Sequence, residues 1–414
     1  MENQQYLLSI DNGTQSVRAM IFNSQGQLLA KSKIDIEPYF SIQSGWAEQH
    51  VDYFWDKLCL ACQTLWQESS IDKQAIAAVS VTTQRATVVT MGKNHQPLRP
   101  AISWLDQRQV DSKPVLGVIE SALMSLVRAK PLVDLMHQQS EANWIEQNEP
   151  ELWKQVSKFL LLSGYHNYKL TGEYKDSIAS TVGFVPFDYK TQQWAEKNDW
   201  KWRAMPITRG MLPEVLPAGS KLGKISATAA IETGIPEGLP LIASGSDKSC
   251  EVLGTGCTDA HTGSLSYGSL ATINIASDKY LEAIPFYPAY PGVVPGSFNV
   301  EMMVQRGYWM VSWFKQEFGL HETQQGTEQK VSPESLFDQL LAEVPAGSDG
   351  LMLQPYWSPS NGDGPETRGA IIGFTESHTR AHLYRAMIEG LTYALRESNC
   401  LLYTSPSPRD SDSS

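Results

Sequence analysis

Two short runs rich in branched apolar residues, 6–10 and 17–22, flank the polar stretch DNGTQS. They predict a pair of strands joined by a tight turn. The turn Asn23-Ser24-Gln25-Gly26 leads into a third strand over 27–34, so the chain opens with three antiparallel strands. A helix follows over 52–67, where Trp55, Leu58, Cys59, Cys62, Leu65 and Trp66 recur on one face at three- and four-residue spacing. The nearly continuous apolar run 75–81 reads as a buried strand ending in Thr82-Thr83-Gln84-Arg85, and 241–243 reads as a shorter one ending in Ser244-Gly245-Ser246-Asp247. Near residue 250 the mixed α/β pattern restarts, with the turn Gly268-Ser269 ahead of a β-branched strand over 271–275. A helix over 379–397 carries Tyr384, Met387, Ile388, Leu391 and Leu395 on one face. The run 144–202, rich in Trp, Tyr and Lys, reads as helical and loop insertion without a site.

With 414 residues, 42% of them hydrophobic, the chain is long enough for two or three domains with real cores. A net charge of -12 argues against a nucleic-acid partner, which needs an excess of Lys and Arg to displace condensed counterions. Small-molecule chemistry is favoured instead. Five cysteines are too few for a disulfide framework, and the start lacks the basic and apolar regions of a signal peptide. With no long apolar run either, the expected location is the cytoplasm, away from any membrane.

Several positions admit two readings. The DNGTQS turn can cradle an anion on its backbone N–H groups, with Gly13 permitting close approach, or it can be an ordinary hairpin turn. A P-loop is not among the options, because a strand and not a helix follows the glycine. Polar residues beyond the carboxyl end of a buried strand are well placed for ligands, which makes Asp247 a candidate acid. Its bland reading is a helix N-cap. Cys59 and Cys62 fall on the core face of their helix, where a redox or metal pair has no supporting residues. His378 and His382 lie four apart without a third ligand or an acidic neighbour in HTRAH, and read as solvated surface residues.

The segments "DNGTQSVRAMIF", "GWAEQ", "PAISWLDQR", "LLLSGYHNYKLTGE", "TGIPEGLPLIASGSDKSCEVLGTG", "RGAIIGF" and "RAMIEGLTYAL" occur in this order. As an ordered set the chain resembles the FGGY carbohydrate kinases of the actin-like ATPase class. The resemblance implies an α/β, two-domain actin-like ATPase (ribonuclease H-like) fold and ATP-dependent phosphorylation of a sugar or polyol. By carry-over, Asp11 would hold Mg2+ and Gly13, Thr14 and Gln15 would donate to phosphate oxygens, with Arg18 a nearby cation. Gly268 and Ser269 would form a second phosphate turn. Asp247 falls on the general base, and Gln84, Arg85, Trp104, Asp106 and Lys248 fall in or near the sugar pocket. A homodimer is left open. A non-catalytic sugar- or nucleotide-binding protein of the same fold is the alternative, which retention of Asp247 disfavours.

Three departures bear on this resemblance. Glycerol-specific members carry Arg-Glu where this chain has Arg85-Ala86, so a hydroxyl-binding carboxylate is absent. A pentulose pattern prefers His at Arg85, and Lys248 suits an acid sugar or a polyol. The family's glycine-rich adenosine-binding segment has no counterpart; residues 400–414, CLLYTSPSPRDSDSS, read as a non-native tail. The expected division is therefore 1–250, an incomplete second domain over 251–399, and that tail.

Overall fold

Alternation along the opening segment builds its hairpin. In β1 (Tyr6–Asn12), Leu8, Ile10 and Asn12 are buried, and in β2 (Ser16–Asn23) so are Val17, Ala19 and Ile21. The two strands pair antiparallel from Tyr6↔Asn23 to Asn12↔Val17, and β3 (Leu28–Asp35) adds antiparallel to β2. The computed structural model describes residues 5–111, 115–126, 130–268, 270–284, 287–305, 307–357 and 367–404. Two units are distinguished: Met1–Thr255 with Asp278–Tyr280 and Tyr290–Phe298, and Gly256–Ser277 with Leu281–Ala289 and Asn299–Ser414.

In the first unit, α1 (Val51–Glu68) buries Phe54, Trp55, Leu58, Cys59, Ala61, Cys62 and Leu65 on the face its spacing predicts. Burying a large apolar side chain contributes about 1.5–3 kcal/mol, so this face anchors the helix firmly. Burial pushes the Cys59 thiol up to about 12 and Cys62 higher still, which keeps both as inert core residues. Strand β4 (Ile76–Thr83) runs parallel to β1. The strands β5 (Val88–Gly92) and β6 (Val156–Leu161) pair antiparallel in a separate sheet. After β6 come α2 (Leu162–Thr171) and β7 (Lys175–Ser177), then β8 (Lys221–Lys224), β9 (Pro240–Ile242) and α3 (Asp247–Gly254). The main sheet has the order β8-β9-β4-β1-β2-β3, with β9 parallel to β4. Three adjacent parallel strands, β1, β4 and β9, thus deliver their carboxyl ends to one edge.

The segment 144–202 is more than the expected helical and loop insertion. It supplies β6 to the second sheet and buries α2, with Leu162, Tyr165, His166 and Leu170 at 0–1% exposure. The helix lacked an amphipathic signature because Ser163, His166 and Asn167 are buried along with its apolar residues.

The second unit pairs β10 (Gly263–Tyr267) antiparallel with β11 (Ala271–Ser277), and β12 (Phe298–Val304) lies on the other side of β11. Helices α4 (Trp309–Phe318), α5 (Leu320–Gln329) and α6 (Pro333–Glu343) precede the pair β13 (Met352–Gln354) and β14 (Ala370–Ile372), and α7 (Arg380–Thr404) follows. Its core holds Phe314, Phe337, Tyr384, Met387 and Leu391, with Phe314 edge-on to Phe337 at 5.5 Å. Helix α7 continues past Asn399, because the first helix breaker after it is Pro406. Residues 405–414 lie outside the described residues.

The histidines of HTRAH are not solvated in the way their spacing suggested. The His382 side chain is 14% exposed, and its Nε2 lies 3.1 Å from Asp349 Oδ2, while His378 Nε2 lies 3.3 Å from the Asp349 carbonyl. Both Nδ1 atoms accept backbone N–H groups, of Thr375 and Thr379. The rings are therefore structural donors. No group of three or more metal-ligating side chains suited to an ion occurs among the described residues.

Candidate active site

The first candidate turn is set by the β1–β2 register. Asp11 faces Arg18 across the hairpin, and Arg18 Nη1 donates to Asp11 Oδ2 at 2.8 Å. Burial raises the Asp11 pKa and Arg18 opposes the rise. The turn closes through Gly13 N–H to the Ser16 carbonyl at 3.1 Å, while Ile36 N–H holds the Gln15 carbonyl at 3.0 Å. A Cβ on Gly13 would approach nothing closer than 3.6 Å. The space beside its Cα is therefore open, and the folded chain itself does not require glycine there. Thr14 Oγ1 accepts from Trp104 Nε1 at 3.1 Å, so the residues to which the resemblance assigns a phosphate and a sugar contact touch.

The second turn follows β4. Gln84 is 3% exposed, and neither its Oε1 nor its Nε2 has a hydrogen-bond partner among the described residues. An unpartnered buried amide costs about 1–3 kcal/mol, and a hydroxyl-rich ligand would relieve it at both ends. Arg85 stacks over the Tyr290 ring at 5.4 Å. Ala86 is held at φ 51°, a conformation that favours glycine, with its N–H on the Val182 carbonyl at 3.1 Å. Backbone strain of this kind clusters at ligand sites.

The third turn follows β9 and carries Asp247 as the first residue of α3. The cap position belongs to Ser246, whose Oγ accepts from Ser249 N–H at 3.3 Å, so capping does not account for Asp247. Asp247 Oδ1 accepts from Lys248 N–H at 2.7 Å. Burial raises the Asp247 pKa, Arg85 and Lys248 oppose the rise, and Asp11 adds to it. Those couplings bring Asp11, Arg85 and Asp247 into one electrostatic neighbourhood. Lys248 Nζ donates to Glu251 Oε2 at 2.6 Å.

Asp106 has a different setting from the one expected of a sugar contact. Its two oxygens are engaged by Arg108 at 2.7 Å each, and Oδ2 also accepts Ala47 N–H at 2.6 Å. Arg108 in turn meets Glu48 at 2.9 Å and lies 4.0 Å over Trp46 and 4.4 Å over Trp144. The carboxylate thus folds the loop that presents Trp104. Gly268 occupies the β10–β11 turn, its carbonyl accepting Tyr308 N–H at 3.0 Å; Ser269 lies outside the described residues. Sequence reasoning missed Tyr290 and Glu251. The spacing of Lys248 and Glu251, three apart on one helix, could have found the latter.

The model of the "FGGY family of carbohydrate kinases, N-terminal domain" matches residues 6–254, and that of the C-terminal domain matches residues 263–407. Among curated relatives, an uncharacterized sugar kinase, YgcE, of Escherichia coli is 28% identical over 398 residues, covering 96% of this chain and 73% of the relative. The xylulose kinase of Lactococcus lactis is 26% identical, covering 96% and 77%. The crystal structure of xylulose kinase from Rhodospirillum rubrum shares the fold at a TM-score of 0.77 and 24% identity, over 97% of this chain and 80% of that one. A xylulose kinase structure from Brucella ovis gives 0.80 at 18% identity, over 97% and 80%. The fold is that of the two-domain actin-like ATPases. On matches that together span both units, the chain belongs to the FGGY family of carbohydrate kinases.

Proposed function

We propose that this kinase transfers the γ-phosphoryl group of ATP to a hydroxyl of a neutral sugar or polyol, with Asp247 as the base. The observation that carries the reading is the convergence of Asp11, Arg85 and Asp247 at the carboxyl ends of β1, β4 and β9. Asp247 takes the proton of the substrate hydroxyl as that oxygen bonds to the γ-phosphorus and the bond to the ADP oxygen breaks. Gly13, Thr14 and Gln15 hold phosphate oxygens, Arg18 supplies a cation, and Gly268 and Ser269 are assigned the phosphate contacts of the second unit. Asp11 offers one carboxylate, with no group of three or more metal-ligating side chains among the described residues, and Mg2+ is an ion that keeps several waters and takes one or two carboxylates beside the nucleotide phosphates. Bound there, Mg2+ would neutralise phosphate charge.

For the substrate, the bare Gln84 amide supports a ligand offering both hydroxyl donors and acceptors, with Trp104 as an aromatic wall. Glycerol is disfavoured by Ala86, and an acid sugar draws little support from Lys248, whose ammonium is held by Glu251. A panel of ketoses, polyols, aldonates and glycerol, assayed for ADP release, tests the proposal. ADP formed in step with one neutral substrate is expected. Tight ligand binding without ADP from any of them would favour the non-catalytic reading.

A further inference from the structure

Helix α2 has no role in the reading above, yet its buried polar residues reach toward two of the three turns. His166 is wholly buried, and its Nε2 lies 2.9 Å from Asn12 Oδ1. Asn12 Nδ2 donates to the Gly13 carbonyl at 3.2 Å, so Oδ1 is free to accept and the histidine proton sits on Nε2. The opposite nitrogen, Nδ1, has no hydrogen-bond partner among the described residues. Burial pushes the His166 pKa down to about 3, which keeps the ring neutral and the donor fixed. Asn12 also accepts Gln84 N–H on its carbonyl at 3.0 Å, tying the turn after β1 to the turn after β4.

From the neighbouring turns of α2, Ser163 Oγ and Asn167 Nδ2 donate to the two oxygens of Asp176, at 2.7 and 3.0 Å. Asp176 also accepts Ser177 N–H at 2.7 Å. Ser177 Oγ then donates to the Ser244 carbonyl and accepts Ala179 N–H, while the Ala179 carbonyl accepts Ser246 N–H at 3.0 Å. The segment thus held, Ser244 to Ser246, immediately precedes Asp247. On its other side, Ser244 Oγ donates to the Val81 carbonyl and Thr82 Oγ1 to the Gly245 carbonyl.

We propose that α2 is a common brace for the two reacting ends of the site, with His166 positioning the phosphate turn through Asn12 and Asp176 positioning the base turn through Ser177 and Ser244. The inference rests on the assignment of those turns made above. Both residues are positioning residues: neither touches substrate, His166 acting through Asn12 and Asp176 through Ser177 and Ser244. Neighbouring residues of one short helix therefore fix the donor turn and the base relative to each other, as in-line transfer requires.

The test separates the two arms. His166→Leu is expected to weaken MgATP, in both calorimetric affinity and KM, by about tenfold, the loss of one hydrogen-bonded position, while sugar affinity is unchanged. His166→Gln, whose amide can donate to Asn12, should recover most of that loss. Ser177→Ala, which leaves the α2 donors to Asp176 in place, and Asp176→Asn should lower kcat by about tenfold or more with MgATP affinity unchanged. If all four variants lose only thermal stability, with kcat and both KM values unchanged per folded molecule, α2 is merely structural and the proposal fails. A His166→Leu effect that falls equally on sugar and MgATP also overturns its arm. If the wild-type protein binds MgATP and transfers nothing, the base assignment fails and takes the Asp176 arm with it, whereas the His166 arm is still decided by MgATP affinity.

Discussion

At Asp247, burial favours the neutral acid, while Arg85 and Lys248 favour the carboxylate. As the proposed base, Asp247 must be ionised to act, so kcat/KM is expected to fall as pH drops through a pKa lying above the ordinary aspartate value of 3.8. Arg85→Ala removes the strongest opposing cation and should move this acid limb to higher pH, which a pH–rate profile would measure. The same variant is expected to re-rank substrates, since an unpaired polar group in a buried sugar site costs about 1–3 kcal/mol; equal weakening of every substrate would make Arg85 a phosphate or structural contact. His166 carries the opposite sign to a salt-bridged base. Its folded pKa, about 3, lies below the unfolded value of 6.5, so its contribution to stability is complete above 6.5 and is lost as pH falls toward 3. His166→Gln should remove that component, which amounts to about 1.4 kcal/mol per pH unit, and flatten the acid side of a urea-midpoint series.

Among the elements, the turns are more demanding than the strands that carry them. A Cβ on Gly245 would lie 2.7 Å from Val293 Cγ2 and 3.3 Å from Ala179 Cβ, so Gly245→Ala should cost about 1–3 kcal/mol and shift Asp247; melting temperature and kcat read the two effects. Ala86→Gly, by contrast, relieves a left-handed alanine and should stabilise the fold by up to about 1 kcal/mol. The hairpin, α1 and β4 were legible in the sequence because each buries a face that repeats at its own period. Helix α2 was not, because Ser163, His166 and Asn167 interrupt its apolar face, and polarity in a sequence reads as exposure. The partners of the Asp106 carboxylate were hidden for a related reason. Its partner Arg108 is two residues away, but the Trp46 and Trp144 rings that bury the pair come from distant segments.

The whole molecule holds separate cores in its two units, one around Phe54, Leu58 and Tyr165 and another around Phe314, Phe337 and Met387. Scanning calorimetry should therefore resolve two transitions. Gln84, Arg85, Trp104 and Lys248, to which we assign the sugar contacts, all belong to the first unit, so sugar alone should raise that unit's transition, by about 2.7 kcal/mol at a hundredfold excess over Kd. What the sequence conveyed at this scale was the order of motifs. It did not reveal that Asp11, near the end of β1, and Asp247, in the turn after β9, follow strands separated only by β4. The central claim is that these two acids serve one phosphoryl transfer, with Asp247 as its base. Sugar-dependent ADP release by Asp247→Asn, compared with wild type at equal folded concentration, tests it most directly. The account expects kcat to fall by about 10²–10⁴ with sugar affinity retained. Turnover within a few-fold of wild type would contradict it.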